Sequence, residues 1–375
     1  MLTEQKVLDA LKEVQDPELN KSLVELNMIR DIQIDNGDNV SLTAVLTISG
    51  CPLKAKIEED IIRALKEIGA NEVNLRFDSM TDEERAQLAA RLRRESGAAA
   101  SNQGSGGQNS QVAGPQGGAE TSPLLAPDSK TRFIAVTSGK GGVGKSTVSV
   151  NLATALARKG KKVGIIDADI YGFSVPDMMG ITQRPTVIDN LIIPVEAYGV
   201  KVMTMGFFVQ DNRPVIWRGP MLGKMLRSFF SEVHWDDIDY MILDLPPGTG
   251  DVALDVHSMI PQSKEIVVTT PHATAAFVAA RAGAMALKTN HEILGVIENM
   301  AYYQLPDGSK DYIFGRGGGE KLAENLNTEL LGQIPLGQAD PEASVDDPSP
   351  SIYDENSLIG GIYKDIASRV MQKLD

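Results

Sequence analysis

Eight consecutive residues, Gly139-Lys140-Gly141-Gly142-Val143-Gly144-Lys145-Ser146, combine backbone freedom with positive charge. Their four glycines let successive N–H groups turn inward around an anion. Lys145 adds a point charge for the outer phosphates of a nucleotide, and the Ser146 hydroxyl suits Mg²⁺. A second lysine, Lys140, stands near the start of the stretch. Carboxylates follow in two places: Lys162 to Asp169 closes an apolar run with Asp167 and Asp169, and Tyr240 to Gly248 closes another with Asp244. A nucleotide hydrolase needs acids at strand ends to hold the water shell of magnesium and to orient an attacking water. Asp244 fits the first role, and Gly248 to Asp251 forms a segment able to sense a γ-phosphate. The blander alternative is a glycine-rich turn that binds nothing, flanked by acids that only cap strand ends.

The elements around the loop arrive in the order a phosphate site requires. Arg132 to Val136 (RFIAV) reads as a strand and Thr147 to Arg158 as a helix, with Val148, Leu152, Ala155 and Leu156 on one stripe. The positive end of that helix, beginning at Thr147, points at the loop. Further apolar runs alternate with helical patterns at Lys162 to Ile166, Tyr240 to Asp244, Glu265 to Thr270, Ile293 to Ile297 and Leu330 to Ile334. Leu191 to Met205 adds a pair of strands and Ser357 to Leu374 a closing helix. This alternation predicts an α/β domain over residues 130–375, with a doubly wound, mostly parallel sheet. Residues 1–95 read as a small α+β domain, with helices at Glu4 to Val14 and Leu53 to Ile68 and a last amphipathic segment, Thr81 to Arg94, that closes it or leads into the linker. Its strands fall at Ile29 to Asp35, Val40 to Ile48 and Glu72 to Phe77, the first two joined at Asn36-Gly37. Between the domains, residues 96–129 are Gly-, Ser-, Gln- and Ala-rich and read as a flexible linker.

The bulk properties narrow the partners. With 36 Lys and Arg against 50 Asp and Glu, the chain of 375 residues carries a net charge of -14 and as a whole repels nucleic acid and anionic membranes. No apolar run approaches a membrane span, and the N-terminus lacks a signal-peptide core, which predicts a cytoplasmic protein. A single cysteine, Cys51, excludes an intrachain disulfide and an all-cysteine metal site within one chain. Cys51 follows a predicted strand and opens a helix, a setting that lowers a thiol pKa and suits a reactive or iron-binding thiolate. An inert buried cysteine fits the same sequence. Gly315 to Gly319 lacks the lysine-serine ending of a phosphate loop, the four histidines show no ligand spacing, and Pro214 to Met221 reads equally as a partner contact or a packed turn.

Taken together, KGGVGKS, DADIYGFSVPDMMG, LDLPPGTGD and the phrase ENM resemble the Mrp family of deviant Walker A ATPases, relatives of MinD, ParA and the nitrogenase iron protein. The N-terminal segments DPEL (Asp16 to Leu19) and TISGCPL (Thr47 to Leu53) resemble the SufT/PaaD-type domain often fused to such proteins. The resemblance implies a homodimer that binds and hydrolyses ATP with Mg²⁺. It implies nucleotide contacts from Gly139 to Thr147 and from Asn299 at the adenine, a water-mediated magnesium contact from Asp244, and a direct one from Ser146. Asp169 would orient or activate the attacking water, and Lys140 would reach across to the partner's phosphates. Family members that carry iron–sulfur clusters place a Cys-x-x-Cys pair shortly after the Asn-Met phrase. Here Gln304 to Ile313 holds no cysteine and no histidine. Two functions therefore stand at this point. One is an ATP-driven iron–sulfur cluster carrier or assembly factor serving client apo-proteins, with Cys51 as its thiolate. The other is a cluster-free, nucleotide-switched regulator that binds DNA or a protein, with the overall negative charge counting against DNA.

Overall fold

A computed structural model describes residues 2–35, 38–48, 53–95, 122–126, 128–169, 172–208, 219–340 and 350–374. Cys51, the Asn36-Gly37 turn, most of the linker and Pro214 to Arg218 lie outside the described residues. Chain contacts divide the molecule into two units, and the first combines the N-terminal segment with Thr186–Ile193.

In the first unit, Asn39–Leu46 is the central strand of a three-stranded sheet, antiparallel to Ile29–Asp35 and parallel to Val73–Ser79. Three helices accompany it. Glu4–Leu11 begins at Thr3, whose hydroxyl accepts from Lys6 N–H. Lys54–Glu67 buries Ile57, Ile61 and Leu65 at four-residue spacing, the apolar stripe of an amphipathic helix. Asp82–Glu95 opens with a reciprocal cap: Glu84 N–H donates to the Thr81 hydroxyl, and Thr81 N–H donates to the Glu84 carboxylate. In the DPEL segment Asp16 Oδ1 accepts from Glu18 N–H and Leu19 N–H, each at 2.9 Å, so this acid builds a turn. Burial raises the pKa of both Asp16 and Glu18.

The hairpin of Thr186–Ile188 and Leu191–Ile193 completes this core, with Ile188, Leu191 and Ile193 buried among Val7, Leu42 and Leu88. Thr186 donates its hydroxyl proton to Glu18 at 2.8 Å. The sequence pattern had Leu191 to Met205 forming one pair of strands. Instead Leu191–Ile193 pairs backward with Thr186–Ile188, and the forward pair is Val195–Ala197 with Val200–Thr204. Pro194 lies between them, and its lack of an N–H ends one ladder before the next begins.

The second unit is built on an eight-stranded sheet. Its strands in chain order are β1 (Arg132–Ser138), β2 (Val163–Asp167), β3 (Val195–Ala197), β4 (Val200–Thr204), β5 (Tyr240–Asp244), β6 (Lys264–Thr269), β7 (Ile293–Glu298) and β8 (Leu330–Gln333). Their spatial order is β3-β4-β2-β5-β1-β6-β7-β8, with every pairing parallel except β3 with β4. Both faces are covered, as an apolar parallel sheet requires. In β6, Ile266 and Val268 enter one apolar layer with Val148, Leu152 and Tyr363, while Val267 enters the other with Ala279 and Leu322. The order of the strands reverses around β1, and ligands of such sheets bind at the carboxyl ends beside that reversal.

Because the hairpin core is distant in sequence from the unit it completes, Leu191→Ala should destabilise that unit by about 2–5 kcal/mol. Chemical denaturation followed by hydrogen exchange at Val7, Leu42 and Ile61 reads this directly, and unchanged protection there would contradict the shared core.

Candidate nucleotide site

The carboxyl ends of β1, β5 and β2 lie side by side. Asp244 pairs in register with Val136 on one flank and with Asp167 on the other, so the acids reach the same level as the loop that follows β1. The loop runs from Gly139 to Gly144 and leads directly into the helix Lys145–Arg158. Gly142 and Gly144 have φ of 79° and 82°, a left-handed backbone that side chains rarely adopt. A Cβ on Gly144 would collide with the Asn299 amide, and one on Gly139 with the backbone of Val278 and Ala279. The loop is thus held against β7's end on one side and the helix Ala273–Lys288 on the other. Ser138 adds a hydroxyl donated to Lys140 O at 3.1 Å.

The helix after the loop buries ten of its residues, polar ones included, so each polar group must be paired. Asn151 donates to Thr147 O and Ser351 O and accepts from Tyr353 N–H. Ser149 donates to Asp244 Oδ1 at 2.6 Å. Lys145, 6 % exposed, places Nζ 2.8 Å from Asp244 Oδ2 and 3.9 Å from Asp169 Oδ2. Ser146 donates to the same Asp244 Oδ2 at 2.6 Å. Lys145, Ser146, Asp169 and Asp244 therefore meet in one cluster. A hydroxyl and a carboxylate at that distance form a hard-oxygen donor pair, which suits Mg²⁺ and its retained waters.

Asp167 stands slightly apart. Its carboxylate accepts from Asp169 N–H, Val175 N–H and the Thr204 hydroxyl at 3.1 to 3.4 Å. Burial, and then the neighbouring Asp244 charge, push its pKa up to about 8. It shapes the chain that presents Asp169.

The remaining sequence-derived residues fall as follows. Lys140 is exposed, while Asn299 is buried and donates its amide to Val143 O at 3.0 Å, bracing the loop. Thr147 is half-buried as the third residue of the helix. The segment after the Asn299-Met300 phrase folds as a small hairpin of Tyr303–Gln304 and Lys310–Asp311. Lys310 lies over the Tyr302 ring at 4.0 Å and Arg316 over Tyr312 at 3.7 Å, so cations and tyrosines occupy that surface. Among the described residues no three His, Cys, Asp or Glu side chains are placed to hold a metal ion. His257 and His291 stack at 4.3 Å and share the Thr289 hydroxyl, while His257 pairs with Glu265 in a buried polar knot that the sequence gives no sign of. Ser149 also went unseen: its position one helical turn after Lys145 was the available signal.

Comparison with known proteins gives a consistent assignment. The family profile described as NUBPL iron-transfer P-loop NTPase matches residues 129–371. The chain belongs to that family. A second profile, that of an iron–sulfur cluster assembly protein, matches residues 4–75. An iron–sulfur cluster carrier protein of Bacillus subtilis is 52% identical over 376 residues, covering 100% of this chain and 99% of that protein. One from Mycobacterium leprae is 45% identical over 340 residues, covering 89% of this chain and 83% of its own. Among solved structures, a nucleotide-binding protein in complex with ADP from Archaeoglobus fulgidus is 34% identical over 64% of this chain and 88% of its own, with a TM-score of 0.49. No described helix is long and apolar enough to cross a membrane.

The raised pKa of Asp167 fixes the sign of a pH effect. The ordinary value is 3.8, so between there and about 8 the folded, nucleotide-free protein holds a proton that the unfolded chain releases. Stability should therefore fall as pH rises through that window, by up to about 1.4 kcal/mol per pH unit. Asp167→Asn should flatten this slope and raise the melting temperature most near pH 8. Parallel pH profiles for the two proteins would contradict the assignment.

Proposed function

We propose that the protein is an ATP-hydrolysing, dimeric carrier of iron–sulfur clusters. The observation that carries the reading is the whole-chain likeness to a carrier protein together with Lys145, Ser146, Asp169 and Asp244 gathered at the carboxyl ends of the strands.

The geometry supports an exchange of partners. Lys145 forms an ion pair with Asp244 at 2.8 Å. An incoming phosphate competes for the lysine charge, while the N–H groups of the glycine loop and the start of the helix take the phosphate oxygens. Asp244, relieved of the lysine, and the Ser146 hydroxyl would hold Mg²⁺, the carboxylate through the metal's waters. Mg²⁺, when bound, offsets charge developing on the outer phosphates. Asp169, 3.9 Å from Lys145, would orient the attacking water. Lys140 remains exposed, and Phe277, 66 % exposed, stands next to Val278 and Ala279, against which Gly139 packs. A charge and an apolar ring beside the loop suit the face of a second copy, whose phosphates Lys140 would reach. Closure of two protomers would then be linked to hydrolysis.

The cargo is the cluster. One thiol per chain gives two per dimer, so a cluster held by four thiolates takes its remaining ligands from a client or a small thiol. That arrangement favours transient carriage and release to apo-proteins. The proposed setting is the cytoplasm.

Two measurements test this reading. Lys145→Ala should weaken ATP binding at least tenfold through the lost charged contact, whereas Lys140→Ala should leave binding within a few-fold and lower turnover by about 10³-fold, as for a charge supplied in trans. Equal binding losses in both variants would refute the trans role. Anaerobic reconstitution should give a visible-region absorbance that Cys51→Ser abolishes. Uptake of no iron and sulfide by the wild type, with ATP-dependent binding to DNA or a protein instead, would establish the cluster-free regulator.

A further inference from the structure

We infer that Ser149 is a positioning residue for the magnesium-facing carboxylate of Asp244, an inference that rests on the nucleotide-site reading above. Asp244 is fully buried at the end of β5, and three side chains donate to it. Lys145 and Ser146 share Oδ2, at 2.8 and 2.6 Å. Among the described residues Ser149 alone donates to Oδ1, at 2.6 Å, from one helical turn further on. The Ser149 hydroxyl also lies 3.1 Å from Lys145 O, but it has a single proton, and the carboxylate is the nearer and stronger acceptor.

The two oxygens of Asp244 therefore differ in what happens to them when nucleotide arrives. Lys145 turns to phosphate and Ser146 to the metal, so both donors on Oδ2 are withdrawn by the same event. Ser149 is wholly buried, and its hydroxyl bonds the carboxylate oxygen other than the one Lys145 and Ser146 share. It is the donor that persists. A carboxylate pinned at Oδ1 keeps Oδ2 aimed at the metal's water shell. One released at both oxygens rotates about its terminal torsion, which is broad and shallow. Outer partners of metal-facing ligands act in this way and typically change metal affinity by about 10–100-fold when removed. An alanine would fit the buried helix sterically and leave Oδ1 without its donor, whereas a threonine would retain the hydroxyl.

The test is ADP binding to the full-length protein, by calorimetry, with Mg²⁺ and separately with EDTA. For Ser149→Ala the gain in affinity that Mg²⁺ gives the wild type should shrink by about 10–100-fold, while affinity in EDTA stays at the wild-type value. Ser149→Thr should keep most of the gain. An undiminished Mg²⁺ gain in Ser149→Ala overturns the inference. So does an equal loss in the alanine and threonine variants, which would assign the effect to packing. Failure of the wild type itself to bind ADP would overturn the nucleotide-site reading and this inference with it.

Discussion

Two carboxylates, Asp167 and Asp244, end neighbouring parallel strands at facing positions inside the protein, both without solvent exposure. Like charges so placed cannot both remain ionised without a compensating cation. The glycine loop delivers one, Lys145, at the start of the following helix, and the rest of the second unit can be understood as what brings that lysine to the acids. The sheet sets the strand ends level, the buried helix fixes the lysine's starting point, and Asp167 carries the excess proton that one lysine cannot balance. A phosphate entering the loop adds negative charge to the same small volume. On the proposed reading, that phosphate would compete with the Asp244 carboxylate for the charge of Lys145.

The loop itself is held from outside. Gly139 and Gly144 are glycine because the backbone of one helix and the amide of Asn299 occupy the space a side chain would take. Asn299 in turn spends its amide on Val143 O. A residue expected from sequence resemblance to meet adenine thus also supports the phosphate cradle. The end of β7 and the loop are consequently coupled through one side chain, and a shift at either is felt at the other.

Much of this was legible in the residues. A strand buried on both faces reads as an unbroken apolar run, so β1, β2, β5, β6 and β7 announce themselves, and the acids at the ends of β2 and β5 stand out against that background. The loop is legible because its glycines and lysines are consecutive. What could not be read depends on contacts across the chain. Ser149 looks like any polar residue in a helix until β5 brings Asp244 to it. Leu191 to Met205 reads as one pair of strands, and nothing local says that Leu191–Ile193 turns back onto Thr186–Ile188 and joins the core of the N-terminal segment. The tyrosine-rich turn at Tyr302 to Tyr312 could be read only for what it lacks.

That hairpin also sets an order on biosynthesis. Helices and strands up to Glu95 emerge from the ribosome first, but the core they surround still lacks Ile188, Leu191 and Ile193. At about 5–20 residues per second, the chain needs roughly 5–20 s more to supply them. During that interval the early unit exposes the apolar surface meant for the hairpin, and it can close only after the glycine loop and β2 have themselves been made. That unit is thus completed only after synthesis of the large sheet has begun, and until then a chaperone would find its client surface there.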